Sequence, residues 1–278
     1  MFNLAQLYHP ITANPSQTNE YLPCKALQPY IRCFWGSGSE SMITEVSTQH
    51  DPREIIIPDT CMDIIWEVDK STGRASTFFS GINDAPFEIP YEAEQEKSYF
   101  GIRFHFWAVH YFADDHLRAV LNAHVEVEQY FSTFHKDLGK HLTETSSMME
   151  RIVAAEAYLL RRLEGHRRTN DSMMNAVHAI INSKGLVSAV ELQVSSGLSS
   201  RQLERLFHEY IGVTPKQTAD LVRFQNVWQE LYHPSPQSKT MLDIVYAYRY
   251  SHQSHFNNNF KKYAGRTPLE ALKVARIR

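Results

Sequence analysis

Apolar residues are concentrated in three short segments of the first hundred or so residues, separated by polar or turn-forming residues. The three segments are CMDIIWEV (61–68), STFFSGI (76–82) and SYFGIRF (98–104). Each is rich in β-branched and aromatic residues, which predicts an extended strand. A Ser-Thr-Gly turn at 71–73 joins the first two segments. From Trp107 to Leu121 the apolar positions change to helical spacing. The pattern therefore predicts a β-rich N-terminal region with some helix.

A longer apolar stripe at helical spacing occupies residues 146–163. Its apolar members include Met149, Ile152, Val153, Leu159 and Leu163, and Glu156 interrupts them. Such a stripe packs in the core of its own domain more often than it pairs two chains, and both uses stay open at this point. We treat residues 146–164 as a candidate dimerisation helix, with those five apolar residues as its candidate dimer face. The polar segment 164–171 predicts a boundary between an N-terminal domain (1–168) and a C-terminal domain (172–278).

The C-terminal domain repeats one unit, in which a short helix, a turn and a longer helix follow one another. The predicted segments are a first unit at 188–210, a linker helix at 215–232 and a second unit at 240–263. Capping sequences mark the predicted helix starts at Asp171 or Ser172, at Ser199 with Gln202, at Thr214 before Pro215, at Thr240 with Asp243, and at Ser251. This repeat is the strongest pattern in the chain.

Two helices joined by a tight turn form a helix-turn-helix unit, whose second helix can enter the major groove of DNA. Opposite its apolar face, the first unit carries Arg201, Glu204 and Arg205, and arginine can fork to guanine or neutralise a phosphate. The outward set of the second unit consists of His252, Gln253, Ser254, His255, Asn257 and Asn258, followed by Lys261 and Lys262. Amide side chains pair with adenine, and the lysines suit the DNA backbone. The two units together predict a partner of double-stranded DNA.

The charge is distributed unevenly between the two predicted domains. The whole chain of 278 residues has a formal net charge of −3, which by itself argues against a nucleic-acid binder. Residues 172–278 contain 13 basic and 7 acidic residues, whereas residues 1–171 contain 15 basic and 24 acidic residues. An acidic domain joined to a basic one fits a module that binds a polyanion, although a solvated basic face is a common alternative cause.

Two long segments, SSGLSSRQLERLFHEYIGVTPKQ and IVYAYRYSHQSHFNNNFKKYAGRTPLE, resemble the DNA-binding domain of AraC/XylS-type transcription regulators. The resemblance covers residues 172–278 and implies two recognition helices that enter successive major-groove faces about 34 Å apart. It also implies a transcription regulator that more often activates than represses, with RNA polymerase as a candidate partner. Two positions depart from the family pattern, which usually has glycine where Arg249 stands and arginine where Asn258 stands.

The N-terminal segments IIIPDTCMDIIW (55–66), FFSG (78–81) and FGIRF (100–104) are similar to the sensory domain of a subset of these regulators. That similarity implies a homodimer and a small-molecule effector whose identity the residues do not indicate. The candidate effector pocket consists of Trp35, Asp63, Trp66, Phe79, Arg103 and Phe104. Because successive strand residues point to opposite faces, Asp63 and Trp66 need not share one pocket. The expected fold class is α+β, with a β-rich sensory domain before an all-α DNA-binding domain.

No motif predicts an enzyme, a cofactor or a metal site, since HxH, HExxH, GxSxG and phosphate-binding glycine loops are missing from suitable contexts. Cys24, Cys33 and Cys61 form no CxxC pair, which favours free thiols and a cytoplasmic, nucleoid-associated protein. No apolar run is long enough for a membrane helix.

Two alternative functions stay open. One is a regulator controlled by a protein partner, and the other is a DNA-repair enzyme with an appended DNA-binding module, which would need a reactive cysteine.

Overall fold

The computed structural model describes residues 3–15, 20–36, 53–90, 97–145, 147–165, 170–234 and 240–276. Two features of the sequence fall partly outside these ranges: Ser146 at the start of the apolar stripe, and residues 166–169 of the predicted domain boundary. In the described residues, no helix is both long enough and apolar enough to cross a bilayer.

The N-terminal domain is built on a six-stranded antiparallel sheet with the order β1-β2-β7-β4-β5-β8. Its strands are β1 (Glu20–Tyr21), β2 (Ile31–Gly36), β4 (Met62–Asp69), β5 (Ala75–Ser80), β7 (Lys97–Phe104) and β8 (His124–Glu126). A separate two-stranded sheet pairs β3 (Arg53–Ile56) with β6 (Phe87–Pro90). The three predicted strands are confirmed as β4, β5 and β7, which lie side by side at the centre of the large sheet.

One face of the large sheet is apolar and packs against a helix. In β4 the side chains of Met62, Ile64 and Trp66 are all at most 2% exposed, as expected for alternate positions on the covered face of a strand. Helix α2 (Glu128–Glu144) covers this face, and the Phe131 ring lies 5.1 Å from that of Phe79. The hydrophobic core of the N-terminal domain lies between this face and α2.

The helix predicted from Trp107 to Leu121 is wrong. The segment instead forms turns and a single 3-10 turn at Val109–Tyr111. All seven residues from Phe106 to Phe112 are buried, so this part of the segment has no polar face to expose as a surface helix would. Leu117 is fully buried and donates its backbone N–H to the carbonyl oxygen of Glu209 at 3.0 Å. This segment is therefore held by tertiary contacts and does not form the predicted helix.

The candidate dimerisation helix forms as α3 (Met148–Gly165), but its stripe is divided between core and surface. Ile152 and Leu159 are 5% and 1% exposed, because they pack into the core of their own chain. Leu163 is partly buried against the same core. Met149 and Val153 are 58% and 63% exposed. Ile152 and Leu159 are therefore core residues, which corrects their assignment to a dimer face.

The C-terminal region consists of seven helices in the described residues. They are α4 (Asp171–Asn182), α5 (Ala189–Ser196), α6 (Ser200–Tyr210), α7 (Pro215–Tyr232), α8 (Met241–Ala247), α9 (Gln253–Ala264) and α10 (Pro268–Arg276). The long helix α7 carries the core of this region, where Phe224 and Trp228 pack against Phe260 of α9. A short N-terminal helix, α1 (Leu4–Leu7), packs against α4. An α+β fold with a β-rich domain before a helical one is confirmed.

Local capping chemistry starts most of these helices where the sequence predicts. The predicted caps Ser199, Thr214 and Thr240 are confirmed. Each forms a capping box, with the side chain of the third helical residue bonded back to the cap. Two predicted starts are wrong by one or two residues. Asn170 caps α4 through a hydrogen bond from Met173, and His252 caps α9. Both side chains accept a bond from a free N–H of the first turn, which is the requirement for a cap.

Candidate nucleic-acid interface

The first helix-turn-helix unit comprises α5, a turn at Gly197 and α6. Gly197 has a φ of 70°, the left-handed conformation that lets the chain reverse sharply after α5. Leu203, Leu206 and Phe207 of α6 are buried. Arg201, Glu204 and Arg205, the residues predicted to contact DNA, are all exposed on α6. The N-terminal half of α6 therefore exposes charged side chains to solvent, while the opposite side of the helix is apolar and buried.

The second unit comprises α8, a turn at residues 248–250 and α9. Phe256, Phe260 and Tyr263 hold α9 in the core. Of the residues predicted to contact DNA, all but one are exposed, and Asn257 is half-buried; the exposed ones are Gln253, Ser254, His255, Asn258, Lys261 and Lys262. The Nδ1 atom of His252 accepts the backbone N–H of His255 at 3.1 Å. This bond orders the N-terminal turn that would enter a groove.

Several side chains predicted to read DNA are not used inside the protein. Within the described parts of the chain, the side chains of Arg201, Arg205, Gln253 and Asn258 make no hydrogen bond or ion pair. A guanidinium or amide group in that state keeps all its donors for a base edge or a phosphate. In contrast, the polar groups that cap the helices are bonded to the backbone. In both units, the polar side chains at the helix caps are therefore occupied by bonds to the backbone, whereas these four side chains predicted to contact DNA are free to bind it.

The N-terminal domain contacts the first unit at the far end of α6. Gly212 follows α6 with a φ of 88°, and a Cβ atom there would lie 2.1 Å from Cγ2 of Val120 and 2.4 Å from the carbonyl oxygen of Leu117. Nδ1 of His116 lies 3.5 Å from a carboxylate oxygen of Glu209. These contacts involve the C-terminal end of α6, so the N-terminal half that carries Arg201 and Arg205 stays exposed.

A second contact between the domains lies on α7 and was missed in the sequence. Gln225 is fully buried and bonds to the backbone of Ile11 and Pro58. Trp228 donates its Nε1–H to the carbonyl oxygen of Thr12 at 2.9 Å. The only signal for this contact is a polar residue at a position of α7 that its apolar neighbours predict to be buried. A buried amide requires partners, but the sequence does not say which ones.

The six residues predicted for an effector pocket separate into two groups. Trp66, Phe79 and Phe104 are at most 2% exposed on the apolar face that α2 covers. Asp63 and Arg103 are paired in register on the opposite face, next to Trp35. The six therefore do not line one cavity, because alternate residues of one strand point to opposite faces.

The polar group is a compact ion cluster. One carboxylate oxygen of Asp63 accepts Nε1–H of Trp35 at 2.7 Å and Nε–H of Arg103 at 3.0 Å. The Arg103 guanidinium also lies 3.4 Å from a carboxylate oxygen of Asp59. Burial raises the pKa of the Asp63 carboxyl, and the charge of Arg103 opposes that effect. The Trp35 ring lies against Gly101, where any Cβ atom would meet it at 2.1 Å.

Comparison with protein families divides the chain in the same way as the fold. Residues 195–273 match the model of a helix-turn-helix domain. This region is a helix-turn-helix domain of the AraC type. Residues 19–126 match a family described as a domain of unknown function (DUF6597), and this range contains all six strands of the large sheet. A search of curated protein sequences found no match.

Solved structures of ToxT from Vibrio cholerae are similar to the chain at 12% sequence identity. The structure from strain O395 has a TM-score of 0.40, with 81% of this chain and 96% of that chain covered. An apo ToxT variant from strain SCE256 has a TM-score of 0.39, with 81% and 98% covered. Wild-type ToxT from the same strain bound to an unsaturated fatty acid has a TM-score of 0.38, with 78% and 87% covered.

Proposed function

We propose that this chain is a sequence-specific transcription regulator that binds double-stranded DNA through α6 and α9. The observation that carries the proposal is the pairing of two helix-turn-helix units in which the N-terminal halves of α6 and α9 present unbonded side chains, namely those of Arg201, Arg205, Gln253 and Asn258. Arginine recognises guanine and amides recognise adenine in the major groove. Lys261 and Lys262 follow on α9, where contacts to phosphate would fix the register of the helix on the duplex.

The proposed action is regulatory. The N-terminal domain contacts α6 and α7 away from the exposed reading residues, so a change in that domain can alter the placement of the units without blocking them. An effector that binds one arrangement of the two domains better shifts the population that is competent for DNA. The ion cluster of Trp35, Asp63 and Arg103 is the proposed effector region, and activation through RNA polymerase is the proposed outcome. A DNA partner and three free cysteines fit the cytoplasm.

The test begins with selection of preferred duplexes from a random-sequence library by the full-length protein. Binding is then measured to the selected duplex and to a scrambled duplex at several salt concentrations. We expect Arg205→Ala and Gln253→Ala each to lose about 1–3 kcal/mol of preference for the selected duplex. Binding by the wild type should weaken as salt rises, because phosphate contacts release counterions.

Arg161→Ala is the matched control, because Arg161 is an exposed arginine on α3, outside the helix-turn-helix domain. It should keep the preference of the wild type. If the wild type enriches no sequence, or if it binds both duplexes equally at every salt concentration, then the proposed sequence-specific function is wrong.

A further inference from the structure

Arg249 adopts a backbone conformation that the sequence makes unexpected. It lies in the turn between α8 and α9 with a φ of 53°, in the left-handed region. Such a conformation is unfavourable for a residue with a Cβ atom, and it persists where surrounding contacts hold it in place. The backbone N–H of Arg249 bonds to the carbonyl of Tyr246, and that of Tyr250 bonds to Val245. The turn is therefore formed fully, with arginine in a position suited to glycine.

The side chain of Arg249 reaches from the second unit to the first. Its Nη1 donates to the carbonyl oxygen of Leu186 at 3.4 Å, across 63 positions of sequence. Leu186 lies in the loop before α5, two residues ahead of the Ser188 cap. The backbone N–H of Ser188 and, more weakly, the charge of Arg249 lower the pKa of Glu191 in the first turn of α5. Arg249 thus interacts, through a hydrogen bond and through its charge, with the residues that begin the first helix-turn-helix unit.

The linker helix α7 holds both ends of this connection. A Cβ atom on Gly185 would lie 2.2 Å from the carbonyl oxygen of Ala219, so the loop before α5 lies directly on α7. From the same stretch of α7, Arg223 donates to the carbonyl oxygen of Tyr248, and its guanidinium carbon lies 3.9 Å from the Tyr250 ring centroid. The loop of the first unit and the turn of the second therefore meet at one place on α7, and Arg249 joins them there.

We propose that Arg249 is a positioning residue that fixes the orientation of the two helix-turn-helix units relative to each other, and so selects the spacing of the two DNA half-sites. This inference rests on the proposed DNA-binding function. Each additional base pair between half-sites turns the second site by about 35° around the duplex axis. A protein whose two reading helices are held at a fixed angle discriminates between such spacings. Loss of the tether lets the units adapt to more than one spacing.

An exposed arginine could instead bind phosphate directly, and the two roles have different consequences. Loss of a phosphate contact weakens binding to all duplexes alike and reduces the salt dependence. Loss of a tether changes the ratio of affinities between duplexes with different spacings. That ratio is therefore the measurement that identifies a positioning role.

The experiment is selection from a random duplex library by the full-length wild type, Arg249→Gly, Arg249→Asn and Lys184→Gly. The Gly and Asn variants both tolerate the left-handed conformation, and neither reaches Leu186. Lys184 is a matched control, because it is an exposed basic residue with a φ of 55° in the turn before Gly185. The preferred duplex is then remade with one or two base pairs added or removed between its half-sites, and all four proteins are titrated against the set.

We expect the wild type and Lys184→Gly to enrich two motifs at one spacing. Both Arg249 variants should enrich the same motifs at several spacings, with the preference for the best spacing reduced at least about threefold. Equal spacing preferences in all four proteins would overturn the inference while leaving the proposed function intact. Enrichment of no sequence by the wild type would overturn the proposed function and this inference together. Thermal melts of the four proteins identify a variant that fails to fold, and the second Arg249 variant then decides.

Discussion

Gln225 and Ile11 lie 214 positions apart and are joined by two hydrogen bonds. The backbone N–H of Ile11 donates to Oε1 of Gln225 at 2.9 Å, and Nε2 of Gln225 donates back to the carbonyl oxygen of Ile11 at 3.1 Å. The same Nε2 donates to the carbonyl oxygen of Pro58 at 2.6 Å. Gln225 is 0% exposed, so its amide acts in place of water for both backbone segments. One side chain of the linker helix thereby fastens two parts of the N-terminal domain.

Replacement of Gln225 by alanine should destabilise the protein. It leaves the N–H of Ile11 and the carbonyl of Pro58 without their protein partner, and we expect a loss of about 1–3 kcal/mol in the free energy of unfolding. Chemical denaturation of the wild type and the variant measures this difference in the free energy of unfolding. Asn226→Ala is the control, since in the described part of the chain that amide bonds only to the carbonyl oxygen of Val222 in its own helix. Equal losses in the two variants would show that the contact between domains contributes nothing specific.

The stability of the protein should fall as the pH drops below 6.5. His105 is 4% exposed, its ring is stacked 4.4 Å from that of Trp107, and burial lowers its pKa from 6.5 to about 3. The unfolded chain therefore gains a proton on this residue near pH 6.5, whereas the folded chain gains it only near pH 3. Between those values the unfolded state binds more protons, so stability decreases by up to about 1.4 kcal/mol per pH unit.

Denaturation at pH 7.0, 6.0 and 5.0 tests this dependence across the range in which the histidine of the unfolded chain takes up its proton. His105→Gln should lose stability at pH 7.0 but show a flatter pH dependence than the wild type. His135→Gln, a change at an exposed histidine on α2, is the comparison and should keep the slope of the wild type. The same slope in both variants would mean that His105 is protonated equally in the folded and unfolded chain.

The sequence predicts those parts of this protein that depend on near neighbours. Three of the helix starts need only a cap and a residue three positions later, and the expected caps at Ser199, Thr214 and Thr240 form. The central strands follow from β-branched and aromatic composition alone. The exposed reading residues on α6 and α9 follow from helical periodicity, because their buried neighbours define the opposite face.

Contacts between distant segments could not be predicted in this way. Residues 107–121 have helical spacing, but they form turns and one 3-10 turn. Their backbone bonds in part to the other domain, as Leu117 does to Glu209. The stripe on α3 has an ordinary helical period, which does not distinguish a core from a dimer face. The partners of Gln225 and the reach of Arg249 to Leu186 depend on tertiary placement alone.

Replacement of Thr77 by valine should stabilise the protein. Thr77 is 3% exposed, and its hydroxyl oxygen has no hydrogen-bond partner in the described part of the chain. Valine has nearly the same shape without the unsatisfied polar group, so the free energy of unfolding should rise by about 1 kcal/mol. Thr133→Val should do the opposite, because that hydroxyl bonds to Asp114 and Tyr158. A loss of stability in Thr77→Val would indicate a buried water bound to the hydroxyl.

Two of the three cysteines should resist alkylation in the folded protein. Cys33 and Cys61 are 0% and 6% exposed, and burial raises the pKa of Cys33 to about 12 and that of Cys61 above its usual range. Because the thiolate is the reactive form, iodoacetamide at pH 8 should label the partly exposed Cys24 at least about tenfold faster. Peptide mass spectrometry after timed labelling measures the three rates. Fast labelling of Cys33 or Cys61 would contradict this prediction and would support the alternative that the protein is a DNA-repair enzyme with a reactive cysteine.

If the chain forms a dimer through α3, the exposed part of the stripe carries the contact. Met149 and Val153 are one turn apart and largely exposed, whereas Leu159 is buried. We expect the double variant Met149→Lys and Val153→Lys to sediment as a folded monomer, because two lysines on each chain oppose burial at a symmetric contact. Leu159→Lys should instead lower the melting temperature, since it places a charge in the core of its own chain. Glu150→Lys adds a lysine at an exposed site of the same helix and controls for charge. A dimer that survives the double variant would exclude this face and direct the search to another surface.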